Sequence, residues 1–349
     1  MIGVVDLDAA RTEWAPEGTY LNTASYGLPP ARAWMALQDV LAEWHVGRTS
    51  WEPWTESTEA ARASFARLVS APVERVAVGA TTSGLVGLVA ASIPDRARVL
   101  APDVEFTSTL FPFMVQEHRG VEVRTVPAAK LAEAVDADTD VVAFSAVQMS
   151  TGEVADLEAV AAAARHHGAL TVVDATQGCG WLPLDATRFD AVACSAYKWL
   201  LSPKGTSFLV VSQELLERIV PHSAGWYAGE DVHESYAGPP LRLARSGRRL
   251  DTSPAWFSWV GAAPALALIE EIGVEAIGAH DIGLANAFRD GLGLAPGDSA
   301  IVSAEVAIDL ERLRSAGVMA AMIEGRLRTS WHLYNTPDDV ERALGVVRA

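Results

Sequence analysis

The chain has 349 residues, is 50% hydrophobic, and carries a net charge of −17 with a pI near 4.9. The length leaves room for about two domains, and the acidic balance argues against a general nucleic-acid binder, which presents a basic face. The only cysteines are Cys179 and Cys194, with no CxxC pair or Cys/His cluster, so neither a zinc site nor a disulfide framework is expected.

The first residues lack a basic stretch leading into an apolar run, and apolar runs such as 84–93 are too short for a bilayer. A cytoplasmic enzyme is the expectation. A first helix ends near Pro16, followed by a turn-rich extended stretch over 19–30 that holds Asn22, Ser25 and Tyr26. Apolar spacing predicts a helix over 32–45, a Trp-rich loop over 47–54 and an amphipathic helix over 58–69. A buried strand over 75–79 then runs into Thr81, Thr82 and Ser83 and a helix. Free N–H groups at such a helix start favour a phosphate, and the hydroxyls add donors. No GxGxxG or GxxxxGK[ST] is present, so dinucleotide and P-loop readings lack their fingerprints.

Strands and helices then alternate. Strands are predicted over 98–101, 121–126, 140–145, 170–174, 190–195 and 206–211. A helix to about His118 follows the first of these, and an Ala-rich helix over 156–167, closed by Gly168, precedes the fourth. This pattern implies an α/β fold with a mostly parallel, doubly wound sheet, whose ligands bind beyond the carboxyl ends of the strands. Thr82, Phe106, Asp174, Gln177, Ser195 and Lys198 all fall at those ends. After a loop-rich stretch over 221–251 comes an apolar helix to about Ile272. A smaller α+β unit follows, with a strand over 300–306, a helix over 310–316, a hairpin over 318–334 and a last helix opened by Pro337. The expected division is an arm over 1–30, a large domain over 31–255 and a small C-terminal domain over 256–349.

Two of these residues carry chemistry. A lysine at a strand end in a dry pocket can lose its proton and form a Schiff base with an aldehyde. An aspartate at a neighbouring strand end can keep a pyridinium nitrogen protonated. Lys198 and Asp174 together therefore point to pyridoxal phosphate chemistry.

Seven short segments appear in one order along the chain. They are Tyr-Leu-Asn-Thr-Ala-Ser from Tyr20, Ala-Thr-Thr-Ser from Ala80, Glu-Phe-Thr-Ser from Glu105 and Val-Asp-Ala-Thr-Gln from Val173. Ser-Ala-Tyr-Lys-Trp from Ser195, Asp-Thr-Ser-Pro from Asp251 and Arg-Thr-Ser-Trp-His-Leu-Tyr-Asn-Thr from Arg328 complete the set. On these segments the chain resembles the class V aminotransferase family of fold type I pyridoxal phosphate enzymes. That family includes cysteine desulfurases, kynureninases, isopenicillin N epimerase and C–S lyases.

The resemblance implies the following roles. Lys198 forms the Schiff base and then moves the Cα proton, Asp174 pairs with the pyridine nitrogen, and Gln177 bonds the phenolic oxygen. Phe106 stacks on the ring, where many relatives have His; a phenyl ring cannot take or give a proton. Thr81, Thr82, Ser83, Ser195 and Tyr197 hold the phosphate, and Ser253 reaches the phosphate of a neighbouring subunit, which implies a homodimer. Arg328 grips the substrate carboxylate, with Asn22, Ser25 and Tyr26 on the substrate side.

The family's desulfurases carry a cysteine shortly before that arginine, and the stretch 316–325 has none, so a desulfurase is disfavoured. The expected substrate is a small α-amino acid, with no nucleic acid, metal or membrane partner. Transamination, side-chain elimination or cleavage, and epimerisation all stay open, and outside catalysis so does a degenerate binding protein. Tyr26, Trp51, Trp54, Trp226 and Tyr227 are expected to line the pocket.

Overall fold

The structure is a computed structural model describing residues 6–348. In chain order its strands are β1 (Thr19–Tyr20), β2 (Val76–Gly79), β3 (Arg98–Pro102), β4 (Glu122–Val126), β5 (Val141–Ser145) and β6 (Leu170–Asp174). They continue with β7 (Ala191–Ser195), β8 (Ser207–Val211), β9 (Ile301–Ala304), β10 (Val318–Met319), β11 (Ala321–Ile323) and β12 (Arg326–Ser330).

A seven-stranded sheet has the order β2-β8-β7-β6-β5-β3-β4, and only β8 runs antiparallel to its neighbours. Strands β5, β7 and β8 are buried along their whole length. Their continuous apolar runs fit a sheet covered on both faces, where alternation would waste one side. Apolar clusters lie on each face, one around Phe144, Trp199 and Trp259, the other around Leu85, Phe113 and Leu209. The register brings Gly79, Ser207 and Ser195 abreast on β2, β8 and β7, and Asp174 beside Ser145 and Ala193.

A second, antiparallel sheet has the order β11-β12-β9 and packs with helices Val274–Gly291 and Pro337–Arg348 around Phe288, Val302 and Trp331. Leu21 of the N-terminal arm enters this core, and β1 pairs with β10. The arm therefore bridges the two sheets. Helix Trp256–Ile272 packs in the cluster of the large sheet, through Trp259, Leu266 and Ile269, although the expected division counts it with the C-terminal unit.

Three elements differ from expectation. The stretch predicted as a Trp-rich loop opens helix Trp51–Leu68. Pro53 sits in its first turn, where a missing N–H costs nothing. Helix Val274–Gly291 was not anticipated, because its buried stripe of Val274, Ile277, Leu284 and Phe288 is interrupted by Asp281. The predicted hairpin is broken at Ala320: Val318–Met319 joins the arm, and only Ala321–Ile323 pairs with β12.

Arg62 and Asp251 form an ion pair at 2.6 Å with both side chains buried. Arg62 also donates to the Val76 carbonyl at 2.7 Å, and the Val78 amide donates to Asp251 at 2.8 Å. Burial pushes the Asp251 carboxyl up to about 6 against the pull of Arg62. The pair fixes the start of the Asp-Thr-Ser-Pro segment to the first strand of the large sheet. Asp251→Ala leaves Arg62 charged with only the more exposed Glu59 as an acidic partner, and is expected to cost up to about 3–5 kcal/mol. The denaturant midpoint of the cofactor-free protein measures it.

Candidate active site

The strand ends and the helix start converge on a cavity of about 270 Å³. Thr81, Thr82, Ser83, Phe106, Asp174, Gln177, Ser195, Tyr197 and Lys198 all line it.

At one end, β2 turns into helix Thr82–Ser92, capped by the Thr81 hydroxyl accepting from the Gly84 amide at 3.1 Å. The Thr82 amide donates to Ser195 Oγ at 3.2 Å, and the Thr82 and Ser195 hydroxyls lie 2.8 Å apart. Ser195 Oγ is also 2.9 Å from the Ser207 hydroxyl, and the Ser195 amide donates to Thr176 Oγ1 at 2.9 Å. Hydroxyl hydrogens rotate, so this chain can turn several donors towards an anion at the helix N-terminus. The exposed Lys204 lies at the same end, its ammonium 5.6 Å from the Tyr197 ring centre and 5.9 Å from that of Tyr26.

On the floor, Asp174 accepts from the Thr109 hydroxyl at 3.0 Å and the Thr176 amide at 2.9 Å, which fixes its carboxylate at the end of β6. Gln177 donates to the Ala24 carbonyl at 3.1 Å and accepts from the Trp199 indole at 2.8 Å. One amide hydrogen of Gln177 is left for a ligand. Glu105, buried beside Phe106, accepts from the Ser145 and Phe106 amides at 2.7 and 2.9 Å, and burial raises its carboxyl. It thereby fixes the backbone from which the phenyl ring projects.

Lys198 is 6% exposed, with no carboxylate in ion-pair contact among the described residues. Burial pushes its ammonium down to about 8, against the more distant pull of Asp174. The turn carrying it is held by the Gly27 amide, which donates to the Tyr197 carbonyl at 3.0 Å. The arm passes so close that a Cβ on Gly27 would stand 2.0 Å from the Lys198 carbonyl oxygen.

Arg328, Ser25 and Asn22 lie outside the cavity lining, and Arg328 bonds both Ser25 and the lining residue Met149. Arg328 is 2% exposed and donates to the Met149 carbonyl at 2.9 Å and to Ser25 Oγ at 2.7 Å. Among the described residues its Nε has no partner and no acid is in contact with it, while Met149 itself lines the cavity. Burial lowers the Arg328 guanidinium to about 10, so it stays charged at neutrality. Asn22 bridges to Ser330 and leaves its side-chain oxygen unpartnered.

Tyr26 packs on Tyr197 with ring centres 5.0 Å apart, but does not line the cavity. The other aromatics expected there are placed elsewhere. Trp51 packs edge-on to Trp226 at 5.3 Å, Trp54 packs on Phe257 at 5.1 Å, and Tyr227 is fully buried. Their apolar faces are satisfied by one another, which spacing in a sequence cannot reveal. Ser253 sits on an exposed stretch between buried Asp251 and Pro254, away from this chain's cavity. Sequence reasoning missed Thr176, Thr109, Glu105 and Lys204. Thr176 lies between Asp174 and Gln177 and was within reach of the same argument, whereas Lys204 in a turn gives no signal.

The donor set fits pyridoxal 5′-phosphate. A hydroxyl-lined helix start suits a phosphate, a carboxylate suits a ring nitrogen, and a buried amine of depressed basicity suits an aldehyde.

The comparisons agree. The sequence model of the class V aminotransferases matches residues 37–312. The chain is 29% identical over 338 residues to an uncharacterised aminotransferase of Bacillus subtilis, covering 90% of this chain and 89% of that one. It is 30% identical over 334 residues to the isopenicillin N epimerase of Streptomyces clavuligerus, with 83% of each covered. The fold superposes on a cysteine desulfurase of Escherichia coli with a TM-score of 0.85 at 21% identity, covering 99% and 98% of the two chains. The chain belongs to the class V aminotransferase family. It is an enzyme whose cofactor is pyridoxal 5′-phosphate.

The depressed Lys198 gives a signed prediction. The unfolded chain keeps this proton up to about 10.5 and the folded one releases it near 8. Between those values the unfolded state binds more protons, so this group's contribution to stability rises with pH. The penalty is fully present below pH 8. Lys198→Met is therefore expected to stabilise the cofactor-free protein at pH 7 by up to roughly 3 kcal/mol, with the gain shrinking towards pH 10.5. Denaturant melts across that window check it.

Proposed function

We propose that this enzyme binds pyridoxal phosphate covalently through Lys198 and removes the Cα proton of a small α-amino acid whose carboxylate is held by Arg328. The observation that carries this reading is a pair of buried cations without acidic partners among the described residues, Lys198 inside the cavity and Arg328 beside it. A buried charge left unpaired is costly, so Arg328 is built for an anion that arrives from outside. Its fork suits a carboxylate held by two parallel bonds.

The cofactor supplies an electron sink that lowers the barrier to losing that proton. The chain does the rest. Asp174, fixed by Thr109 and Thr176, keeps the ring nitrogen charged. Gln177 bonds the ring oxygen with its remaining amide hydrogen, and the group of Thr81, Thr82, Ser83, Ser195 and Tyr197 anchors the phosphate. Ser25 orients Arg328, with Asn22 and Tyr26 beside the substrate. Phe106 covers one ring face and moves no proton, which leaves Lys198 as the base. A base near pH 8 gives up and regains a proton readily at neutrality.

Where the proton goes next separates transamination from side-chain lyase chemistry. Both precedents and an epimerase stand among the relatives. No cysteine lies over 316–325, and Cys179 and Cys194 are buried, so the reading disfavours a persulfide-forming desulfurase. Purified protein mixed with amino acids and S-substituted cysteines, without keto acid, decides. One keto acid per site marks an aminotransferase, and keto acid accumulating with ammonium marks a lyase. Lys198→Ala is expected to abolish both, and to remove the lysine-linked absorbance band. Arg328→Ala should raise KM about 10–100-fold and keep the cofactor. Loss of the cofactor in Arg328→Ala would overturn the carboxylate assignment.

We take the working unit to be a cytoplasmic homodimer. Thr252 and Ser253 are presented outward between the buried anchors Asp251 and Pro254, and Trp34 and Trp44 are each 56% exposed on helix Ala31–His45. Light scattering of the loaded enzyme should give twice the chain mass; a monomer that holds cofactor removes Ser253 from the site.

A further inference from the structure

The turn that carries Lys198 is gripped from the C-terminal unit by a buried chain of hydrogen bonds. His332 Nε2 lies 3.1 Å from the Trp199 carbonyl, that of the residue following Lys198. Its Nδ1 lies 2.8 Å from Asp281 Oδ2, and both side chains are fully buried. Asp281 Oδ1 is 2.9 Å from His280 Nδ1, and His280 Nε2 is 3.0 Å from the Arg11 guanidinium.

These partners assign the protons. Arginine only donates, so His280 Nε2 is bare and its Nδ1–H donates to Asp281. A carbonyl only accepts, so His332 Nε2 carries a hydrogen. One more proton lies in the bond between His332 Nδ1 and Asp281 Oδ2. Whichever atom holds it, the pair is neutral overall and every polar atom of the two rings and the carboxylate is partnered. A buried network satisfied in this way is rigid.

The anchored residue leads on to the site. Trp199 packs edge-on against the His332 ring at 5.4 Å, and its indole donates to Gln177 at 2.8 Å. Its carbonyl is so enclosed that a Cβ on Gly180 would stand 2.7 Å from it. On the other side, His332 follows β12, the strand that carries Arg328. The His332 amide donates to Asn335, whose side chain donates in turn to the Tyr20 carbonyl on the arm, each at 2.9 Å.

We propose that the Asp281–His332 pair is a positioning device that sets the turn bearing Lys198 in register with the strand bearing Arg328. The proposal rests on the assignment of Lys198 and Arg328 above. Its effect travels through the Trp199 carbonyl to Lys198, and through the Trp199 indole to Gln177.

The test compares Asp281→Asn, Asp281→Ala and His332→Phe. An asparagine can accept from His280 and donate to a bare His332 Nδ1, so it keeps every bond while removing the charge. Asp281→Asn is therefore expected to fold and to behave as wild type. His332→Phe keeps the ring packing and loses the bonds, and Asp281→Ala leaves His332 free to turn. Both are expected to lower kcat by about 10–100-fold with a smaller change in KM, since Arg328 is untouched. Both should also weaken cofactor binding, read by tryptophan quenching with pyridoxal phosphate, and shift the pH midpoint of the cofactor band. A role in packing alone would lower the melting temperature and leave the midpoint and kcat of the folded protein in place. Folded His332→Phe and Asp281→Ala enzymes that match wild type would overturn the proposal while the assignment of Lys198 stands. So would an Asp281→Asn enzyme as impaired as Asp281→Ala, because that would place the effect on charge and not on the bonds. An unchanged cofactor band in Lys198→Ala would instead overturn the assignment beneath it.

Discussion

A lysine ammonium enclosed in a cavity, with no carboxylate in ion-pair contact among the described residues, is the constraint around which this protein is built. Removing the charge from water is unfavourable, and the more distant Asp174 offsets part of the cost. The fold must therefore hold the lysine in place by its backbone, because no ion pair does so. That is the work of the arm, whose Gly27 amide meets the Tyr197 carbonyl, and of His332, which meets the Trp199 carbonyl. The residue that carries the chemistry is held from both flanks by segments far away in the chain.

The second buried cation follows the same logic. Arg328 reaches Met149 in the turn after β5 and Ser25 on the arm, so its position depends on three separate parts of the chain. Its bonds are to neutral oxygens, which orient the guanidinium without neutralising it. By contrast, Arg62 is fully paired with Asp251 and serves the fold, tying the Asp-Thr-Ser-Pro segment to β2. Two buried arginines in one chain thus divide into a functional and a structural one by a single criterion, the presence of an acid in contact.

The phosphate end is constructed differently. There the register of β2, β8 and β7 brings Gly79, Ser207 and Ser195 abreast, and the helix after β2 supplies its start. The hydroxyls of Thr82, Thr176, Ser195 and Ser207 bond to one another. They are acceptors and donors at once, so the cluster is satisfied as it stands and can still reorient towards an anion.

Much of this was legible in the sequence. Apolar runs bounded by turns gave the large sheet, and residues at strand ends gave most of the cavity lining, because strand polarity fixes which end of a sheet receives a ligand. Asp174, Gln177, Ser195 and Lys198 could be named since each follows its strand within a few residues. The tertiary structure alone decided the rest. Asp281 broke the apolar stripe of its helix and concealed it, yet that buried carboxylate is met by its neighbour His280 and by the distant His332. The tryptophans expected in the pocket stack on one another, since an aromatic ring is satisfied by any apolar neighbour and a sequence does not say which. Glu105, Thr109 and Lys204 serve the site through contacts made only when separate elements pack together. Local pattern determines where strands end; which side chains face each other across those ends is set by the packing of segments as far apart in the chain as Ser25 and Arg328.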